Sequence, residues 1–139
     1  FKIRHTNFKF IKGDIRKTFF PTQHFDRIIA VSTIEHIGLR GRYSAEQDLA
    51  GDRKAILEMI RILKKGGFIL MTGPFGRAKI VYASHRVYDS ERLRDLVKDL
   101  VVVKQEFYIK GKDGYWLLCE ENLAESAEDA LVCLKLLKP

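Results

Sequence analysis

The sequence predicts an α/β domain with a mostly parallel sheet that ends in antiparallel strands. Two apolar strand-like runs, Phe25–Ser32 and Phe68–Thr72, flank an amphipathic helical segment, and this alternation is typical of parallel sheets covered by helices. The last third of the chain carries strand-like runs without a long helix between the first two, which favours antiparallel pairing. With 139 residues and no shift in composition, we expect a single domain.

The composition is that of a globular protein and does not define a partner. The hydrophobic fraction of 46% and the charged fraction of 31% exclude a disordered chain. The formal net charge is +7, but the lysines and arginines are dispersed, which favours solubility over a dedicated nucleic-acid surface. No apolar run approaches the ~20 residues of a membrane span. The two cysteines form no CxxC or metal motif, so we expect a reducing, cytoplasmic compartment.

Residue spacing places the earlier elements. The run Phe8–Lys12 is aromatic and β-branched and is closed by a Gly-Asp turn, so it predicts a strand. From Asp52 to Lys65 the apolar residues follow helical spacing, with Asp52 as the predicted N-cap and a Gly-Gly pair as the predicted end. Ser90 is predicted to cap a second amphipathic helix.

Three strand-like runs follow in the last third of the chain. They are Val101–Ile109, Tyr115–Cys119 and Ala130–Leu137. The sequence Lys112–Gly114 is a turn signal, so the first two runs are expected to form a hairpin.

Candidate ligand-binding residues follow the predicted strands directly. In open α/β sheets, ligands bind beyond the carboxyl ends of the parallel strands. This rule nominates Gly13–Ile15, Ser32–Gly38 and Gly73–Gly76. Asp14 could accept a hydrogen bond from an exocyclic amine or a hydroxyl of a ligand, or it could only cap its turn, and the spacing leaves both readings open.

Glu35 and His36 stand immediately after a buried strand. A histidine titrates near neutral pH and can take a proton from a nucleophile, while a carboxylate can orient it or hold a cationic group. The alternative is a simple helix start, with Glu35 favouring the helix dipole and His36 half-buried. The scattered histidines form no metal-binding pair, and the sequence holds no GxSxG, GxxxxGK[ST] or GxGxxG motif.

Taken in order, three stretches resemble the S-adenosylmethionine-dependent methyltransferases with a Rossmann-like sheet. They are Gly13–Ile15, Phe25–Ile37 (FDRIIAVSTIEHI) and Arg53–Thr72 (RKAILEMIRILKKGGFILMT), and the tail from Tyr88 to Pro139 is similar less specifically. The glycine-rich cofactor loop of that family would precede Phe8. The resemblance therefore implies that residues 1–139 form the later part of an N-terminally truncated class I methyltransferase domain, from its third strand onward.

The resemblance also implies roles for individual residues. It assigns His36 and Glu35 to catalysis, with His36 deprotonating the acceptor and Glu35 orienting His36 or a substrate amine. It assigns substrate contacts to His85, Arg86 and Tyr88, although an ordinary loop packed against the sheet is the alternative for these three. Contact with S-adenosylmethionine is assigned to Asp14, Ile15, Ala30, Val31, Ser32 and Thr33.

The predicted acceptor is a small molecule, a lipid or a sugar, because Ser32–Glu35 stands where methyltransferases acting on nucleic-acid amines carry an Asn/Asp-Pro-Pro-aromatic sequence. The alternative function is a non-catalytic Rossmann-like module that binds RNA or a protein partner. A sheet without its first strands would expose the edge of Phe25–Ser32, so we expect either a homodimer through this edge or a shift of Phe8–Lys12 to cover it.

Overall fold

A computed structural model describes residues 7–41, 46–82 and 84–139 of the chain. Within these residues, the chain forms seven strands, three α-helices and a single 3₁₀ turn over Ile34–His36. The elements are β1 (Phe25–Val31), α1 (Gly51–Ile62), β2 (Leu63–Phe75), β3 (Lys79–Val81), β4 (His85–Val87), α2 (Ser90–Val97), β5 (Val101–Lys110), β6 (Trp116–Cys119), α3 (Glu121–Ser126) and β7 (Ala130–Leu137).

The main sheet has the strand order β1-β2-β7-β5-β6, and β3 and β4 form a separate hairpin. Strands β1 and β2 are parallel, with Ile29 opposite Leu70. Strand β7 is antiparallel to both β2 and β5, so β5 points in the same direction as β1 and β2. The predicted α/β class and the antiparallel C-terminal strands are confirmed. Among the strands of the main sheet that the structure describes, parallel pairing is limited to β1 and β2, so the sheet is mostly antiparallel where it was predicted to be mostly parallel.

The predicted strand Phe8–Lys12 is not a strand in the structure. Its backbone is irregular, and the side chains of Phe8 and Phe10 are 52% and 79% exposed. A strand is stable only when a neighbouring strand takes up its backbone hydrogen bonds. Phe8–Lys12 pairs with no strand of the described residues, so it does not cover the edge of β1 either.

The core lies between the sheet and the helices. Ile56 and Met59 of α1, which form part of the predicted apolar stripe, are fully buried in one cluster with Ile69 and Met71 of β2. Residues of α2 and α3 complete the same cluster, including Leu96. Burial of such side chains contributes roughly 1.5–3 kcal/mol each, and this burial holds α1 against the carboxyl half of β2.

Helix α1 ends three residues earlier than the sequence predicted. Leu63 is already extended, and the run Lys64–Gly67 continues β2 instead of the helix. The helix ends early because Lys138, which follows β7, takes up its last carbonyl oxygens. The Lys138 Nζ donates to the carbonyl oxygens of Ile60 (2.6 Å) and Leu63 (2.7 Å). Its backbone also pairs with the Gly-Gly segment. A cation from a distant strand therefore satisfies the last helix carbonyls.

Both predicted helix caps are wrong. Ala50 occupies the N-cap position of α1, and the carboxylate of Asp52 turns towards the hydrogen-bonded side chains described below. For α2 the cap is Asp89, whose Oδ1 accepts from the backbone N–H of Arg92 at 2.8 Å. Ser90 instead donates its hydroxyl hydrogen to Glu121 at the start of α3. The caps differ from the prediction by one or two residues because neighbouring elements compete for the same side chains.

One face of the sheet is open at its β1 end. Ile29 and Val31 of β1 are 69% and 63% exposed, and Leu70 of β2 is 38% exposed beside them. Strand β1 is also the first strand of the sheet, so its outer edge pairs with none of the described strands. This is the edge on which the homodimer prediction rests, and dimerisation stays a prediction. Among the described residues, no helix has the length and apolar character that a membrane crossing requires.

Candidate active site

The carboxyl end of β1 turns sharply into the 3₁₀ turn. Ser32 has a φ of +42°, which is uncommon for a residue with a side chain. Its backbone N–H donates to the carbonyl oxygen of Thr72 at 3.3 Å and to the Thr72 hydroxyl at 3.1 Å, and these bonds hold the conformation. Strained residues of this kind are concentrated at functional sites, and this one directs the next residues under the end of β2.

Two glycines let the chain after the turn fold back onto α1. Gly38 has a φ of +77°, and a Cβ placed on Gly51 would lie only 2.7 Å from the carbonyl oxygen of Ile37. The backbone N–H of Asp48 closes the loop by donating to the carbonyl oxygen of Gly38 at 2.7 Å. Because neither glycine carries a side chain, the start of α1 packs directly against the 3₁₀ turn.

Glu35 and His36 lie in contact at this position. The Glu35 side chain is 2% exposed, and its Oε1 is 3.7 Å from the Nε2 of His36. The Nδ1 of His36 is 2.6 Å from the carbonyl oxygen of Ser84. A carbonyl oxygen only accepts, so Nδ1 carries the hydrogen and the neutral imidazole has its lone pair on Nε2, on the side of the carboxylate.

Burial raises the pKa of the Glu35 carboxyl group above its usual value of 4.5. The backbone N–H of Glu35 and the nearby His36 act in the opposite direction but are weaker. Among the described residues, the Oε2 atom of Glu35 has no hydrogen-bond partner. A buried polar atom without a partner is rare and marks this carboxyl group for a role other than packing.

His85 lies beside His36, with 6.1 Å between the ring centroids. Its Nδ1 is 2.9 Å from the Ser84 hydroxyl. Partial burial, and then the electrostatic effects of His36 and Lys79, lower the pKa of His85 below 6.5. His85 therefore favours the neutral form and stands where a substrate was predicted to bind.

A cleft of about 400 Å³ opens at the carboxyl ends of β1 and β2. Its wall includes His85, and its other lining residues include Ser32, Thr72, Gly73, Lys79, Trp116 and Asp129. The cleft lies where the strand-end rule places ligands, and it combines hydroxyl, imidazole, ammonium, carboxylate and aromatic groups.

Arg86 and Tyr88 are buried behind the cleft, which differs from the predicted substrate-facing position. Arg86 is 5% exposed; its Nε lies 3.3 Å from the Oδ2 of Asp52, and its Nη1 donates to the carbonyl oxygen of Ile37 at 2.7 Å. The Tyr88 hydroxyl donates to the same Oδ2 at 3.0 Å, and burial raises the pKa of Tyr88 well above its usual range. Their polar groups are engaged by protein atoms, so Arg86 anchors the loop that carries Glu35 directly and Tyr88 does so through Asp52.

Asp14 is at the surface and already has a partner. The Arg16 guanidinium donates to both of its carboxylate oxygens, at 2.6 to 3.1 Å, and this holds the pKa of Asp14 below its usual value. Arg16 also donates to Asp48, whose backbone carbonyl oxygen lies 3.5 Å from the Nη2 of Arg86. Asp14 and the Glu35 loop are thus joined by one chain of polar contacts. Ile15 beside it packs against the core.

The other predicted cofactor residues run along the end of β1. Ala30 is buried, and Val31 belongs to the open face. Thr33 donates its hydroxyl hydrogen to the carbonyl oxygen of Val31 at 2.8 Å, and Ser32 lines the cleft. Of these four residues, Ser32 is the one that lines the cleft, and cofactor contact by the group stays a prediction.

Gly73, Ser84 and Asp52 contribute to the site but were not singled out from the sequence. The sequence nominated Gly73 only as part of the ligand-binding segment Gly73–Gly76. The lack of a side chain was the one sign that could have singled it out. Ser84 acts through its carbonyl oxygen, which leaves no signal in the sequence. Asp52 was predicted to be a helix cap, a role that the same residue type fits equally well.

Comparison with known proteins assigns the family. A family model named DUF268, described as a Caenorhabditis protein of unknown function, matches residues 10–111. The chain belongs to this family. A search of curated proteins found no match.

Solved structures with the same fold include several methyltransferases. A structure described as an S-adenosylmethionine-dependent methyltransferase from Methanosarcina mazei has a TM-score of 0.59 and 11% identity, over 91% of this chain and 65% of that one. The N-methyltransferase NodS from Bradyrhizobium japonicum has a TM-score of 0.55 and 18% identity, over 91% and 58%. The [4+2]-cyclase SpnF has a TM-score of 0.60 and 16% identity, over 91% and 54%.

These likenesses establish a class I methyltransferase fold for this member of the DUF268 family. They do not establish the reaction, because proteins described as a methyltransferase and as a cyclase share the fold. The chain spans between about half and two thirds of the length of these three structures.

Proposed function

We propose that the protein is an S-adenosylmethionine-dependent methyltransferase that acts on a small-molecule, lipid or sugar acceptor. The observation that carries this proposal is the contact between Glu35 and His36 beside the strand-end cleft of a methyltransferase fold. Transfer of a methyl group requires a nucleophile to be positioned, desolvated and, where necessary, deprotonated. The site offers groups suited to each of these tasks.

His36 is the proposed base. The Ser84 carbonyl oxygen holds Nδ1–H, so Nε2 carries the lone pair of the neutral ring and is the atom proposed to take a proton from an acceptor hydroxyl or ammonium group. Glu35 stabilises the imidazolium that forms, since its Oε1 lies 3.7 Å from Nε2. His85 is the proposed substrate contact, while Arg86 and Tyr88 hold the loop in place from behind.

The residues present fit part of the proposed cofactor. The buried Oε2 of Glu35, which has no hydrogen-bond partner among the described residues, supports the proposal because it is an acceptor atom at this rim. Asp14 with Ile15, and the main chain of Ala30, Val31, Ser32 and Thr33, are the residues proposed to hold S-adenosylmethionine. When bound, this cofactor supplies a methyl group on a sulfonium: the acceptor lone pair forms the new bond to carbon, and the electron pair of the broken carbon–sulfur bond stays on sulfur.

Calorimetric titration with S-adenosylhomocysteine tests the proposal, on this chain and on any longer polypeptide that contains it. We expect saturable heat, and we expect Asp14→Asn to weaken binding while Asp113→Asn, at an exposed turn outside the site, leaves it unchanged. If the longer form binds no S-adenosylhomocysteine, the proposal is wrong.

The alternative, a non-catalytic module for RNA or a protein partner, predicts a different result. Binding of RNA through a basic surface weakens by about tenfold or more for every few phosphate contacts between low and physiological salt. Several cations of the described surface are instead paired with carboxylates, such as Lys54 with Asp48 and Lys64 with Asp26. A steep salt dependence of RNA binding, together with no binding heat in the titration with S-adenosylhomocysteine, would favour the non-catalytic module.

A further inference from the structure

The Glu35 carboxyl group lies next to Gly73, on the side where a Cβ would stand. A Cβ placed on Gly73 would have one heavy atom within 4 Å outside its chain neighbours, the Oε2 of Glu35 at 3.8 Å. Gly73 is also part of the wall of the cleft. Because Gly73 has no side chain, Oε2 is the heavy atom nearest to that position, and it is buried and has no hydrogen-bond partner among the described residues.

The Glu35 Oε2 atom is a hydrogen-bond acceptor that a cationic donor would stabilise. An ionised carboxylate that is 98% buried loses most of its hydration, and this cost is what raises its pKa. The nearby guanidinium of Arg86 does not relieve the cost, because it is directed at Asp52 and at backbone carbonyl oxygens. A ligand that brings both N–H donors and a positive charge would satisfy Oε2 and stabilise the ionised form.

We propose that Glu35 and Gly73 form a subsite for the protonated primary amine of a ligand. A hydroxyl group could donate a hydrogen bond to Oε2, but it would add no charge to the weak compensation that His36 gives the buried carboxylate at Oε1. An ammonium group supplies the opposite charge and three donors, one of which would satisfy Oε2.

Two sources of such an amine are compatible with the proposed function, on which this step of the inference rests. One is the methyl acceptor, whose ammonium would lie within reach of the His36 base before transfer. The other is the amino-acid end of S-adenosylmethionine. Both sources would place an ammonium group at Glu35. Comparing the binding of n-propylammonium with that of S-adenosylhomocysteine distinguishes them.

The direct test is NMR of the isotopically labelled chain titrated with n-propylammonium chloride, with n-propanol in matched NaCl as the neutral probe. Such a small ligand is expected to bind in the ~mM range. We expect the Gly73 amide resonance to move saturably with the amine and not with the alcohol. The carboxyl resonance of Glu35 should show a lower pKa when the amine is bound, since a cation favours the ionised form.

Three variants decide the interpretation. Glu35→Gln removes the charge and should abolish the amine response, whereas Glu91→Gln makes the same change in net charge at an exposed position of α2 and should preserve it. Gly73→Ala places a methyl group beside Oε2 without altering any charge and should also abolish the response; its new methyl group meets only an ordinary contact, so the fold should survive. An unmoved Gly73 resonance, or an equal response in Glu35→Gln, would overturn the subsite.

Calorimetry with S-adenosylhomocysteine then identifies the source. If the cofactor end occupies the subsite, Glu35→Gln weakens S-adenosylhomocysteine at least about tenfold, which is 1.4 kcal/mol, and the two ligands compete. If the acceptor occupies it, S-adenosylhomocysteine binds both forms equally and together with the amine. Amine binding that depends on Glu35, without any binding of S-adenosylhomocysteine to the longer polypeptide, supports the subsite and refutes the methyltransferase proposal.

Discussion

Replacing Arg86 by methionine should destabilise the protein strongly, because this arginine is a buried anchor. It is 5% exposed, and its donors reach the carbonyl oxygens of Ile37 (2.7 Å) and Leu49 (3.2 Å) as well as the carboxylate of Asp52. Methionine is of similar length but leaves Asp52 with Tyr88 as its remaining side-chain donor. Removing one partner of a buried ion pair typically costs about 3–5 kcal/mol.

Urea unfolding followed by circular dichroism measures this effect. With a dependence on urea of about 2 kcal/mol per molar, a loss of about 4 kcal/mol lowers the midpoint by about 2 M. Tyr88→Phe removes one hydrogen bond to a carboxylate and should cost about 1.5–3 kcal/mol. Arg92→Met, at an exposed position of α2, is the matched control and should change the free energy of unfolding by less than about 0.5 kcal/mol.

A double variant separates anchoring from mere loss of packing. Arg86→Met alone leaves the negative charge of Asp52 buried without its cation. Asp52→Asn in the same chain removes that charge, so part of the lost stability should return. If Arg86→Met unfolds at the same urea concentration as Arg92→Met, the anchor role is wrong and the predicted substrate role of Arg86 regains its place.

Two further predictions concern the edge of the sheet and the acid stability. Val31→Lys on the open face of β1 should convert a dimeric chain into a monomer in sedimentation velocity, and a wild-type chain that is monomeric at high concentration would refute the dimer. The Arg61 guanidinium, with Thr18, lowers the pKa of Glu58 to about 2, so the unfolded chain takes up a proton first as the pH falls. The free energy of unfolding should therefore decrease from about pH 5 towards pH 2, and Glu58→Gln should reduce this decrease, which chemical unfolding at several pH values would show.

The sequence alone was sufficient for the α/β class, the antiparallel end of the sheet and the position of Glu35 and His36 at a strand end. These features depend on local periodicity and on the strand-end rule, both of which can be read from neighbouring residues. The hairpin of β5 and β6 was predictable for the same reason, because its turn signal lies between the two runs.

Only the tertiary structure decided what the polar side chains near the site do. Asp52 and Arg86 are sequence-distant, and their pairing follows from the packing of α1 against β4, which no local pattern specifies. The end of α1 depends on Lys138, and the failure of Phe8–Lys12 to form a strand depends on the lack of a paired edge. The proposed role of Gly73 depends on Glu35 in the same way, because the two residues are distant in the sequence and only the fold brings them together.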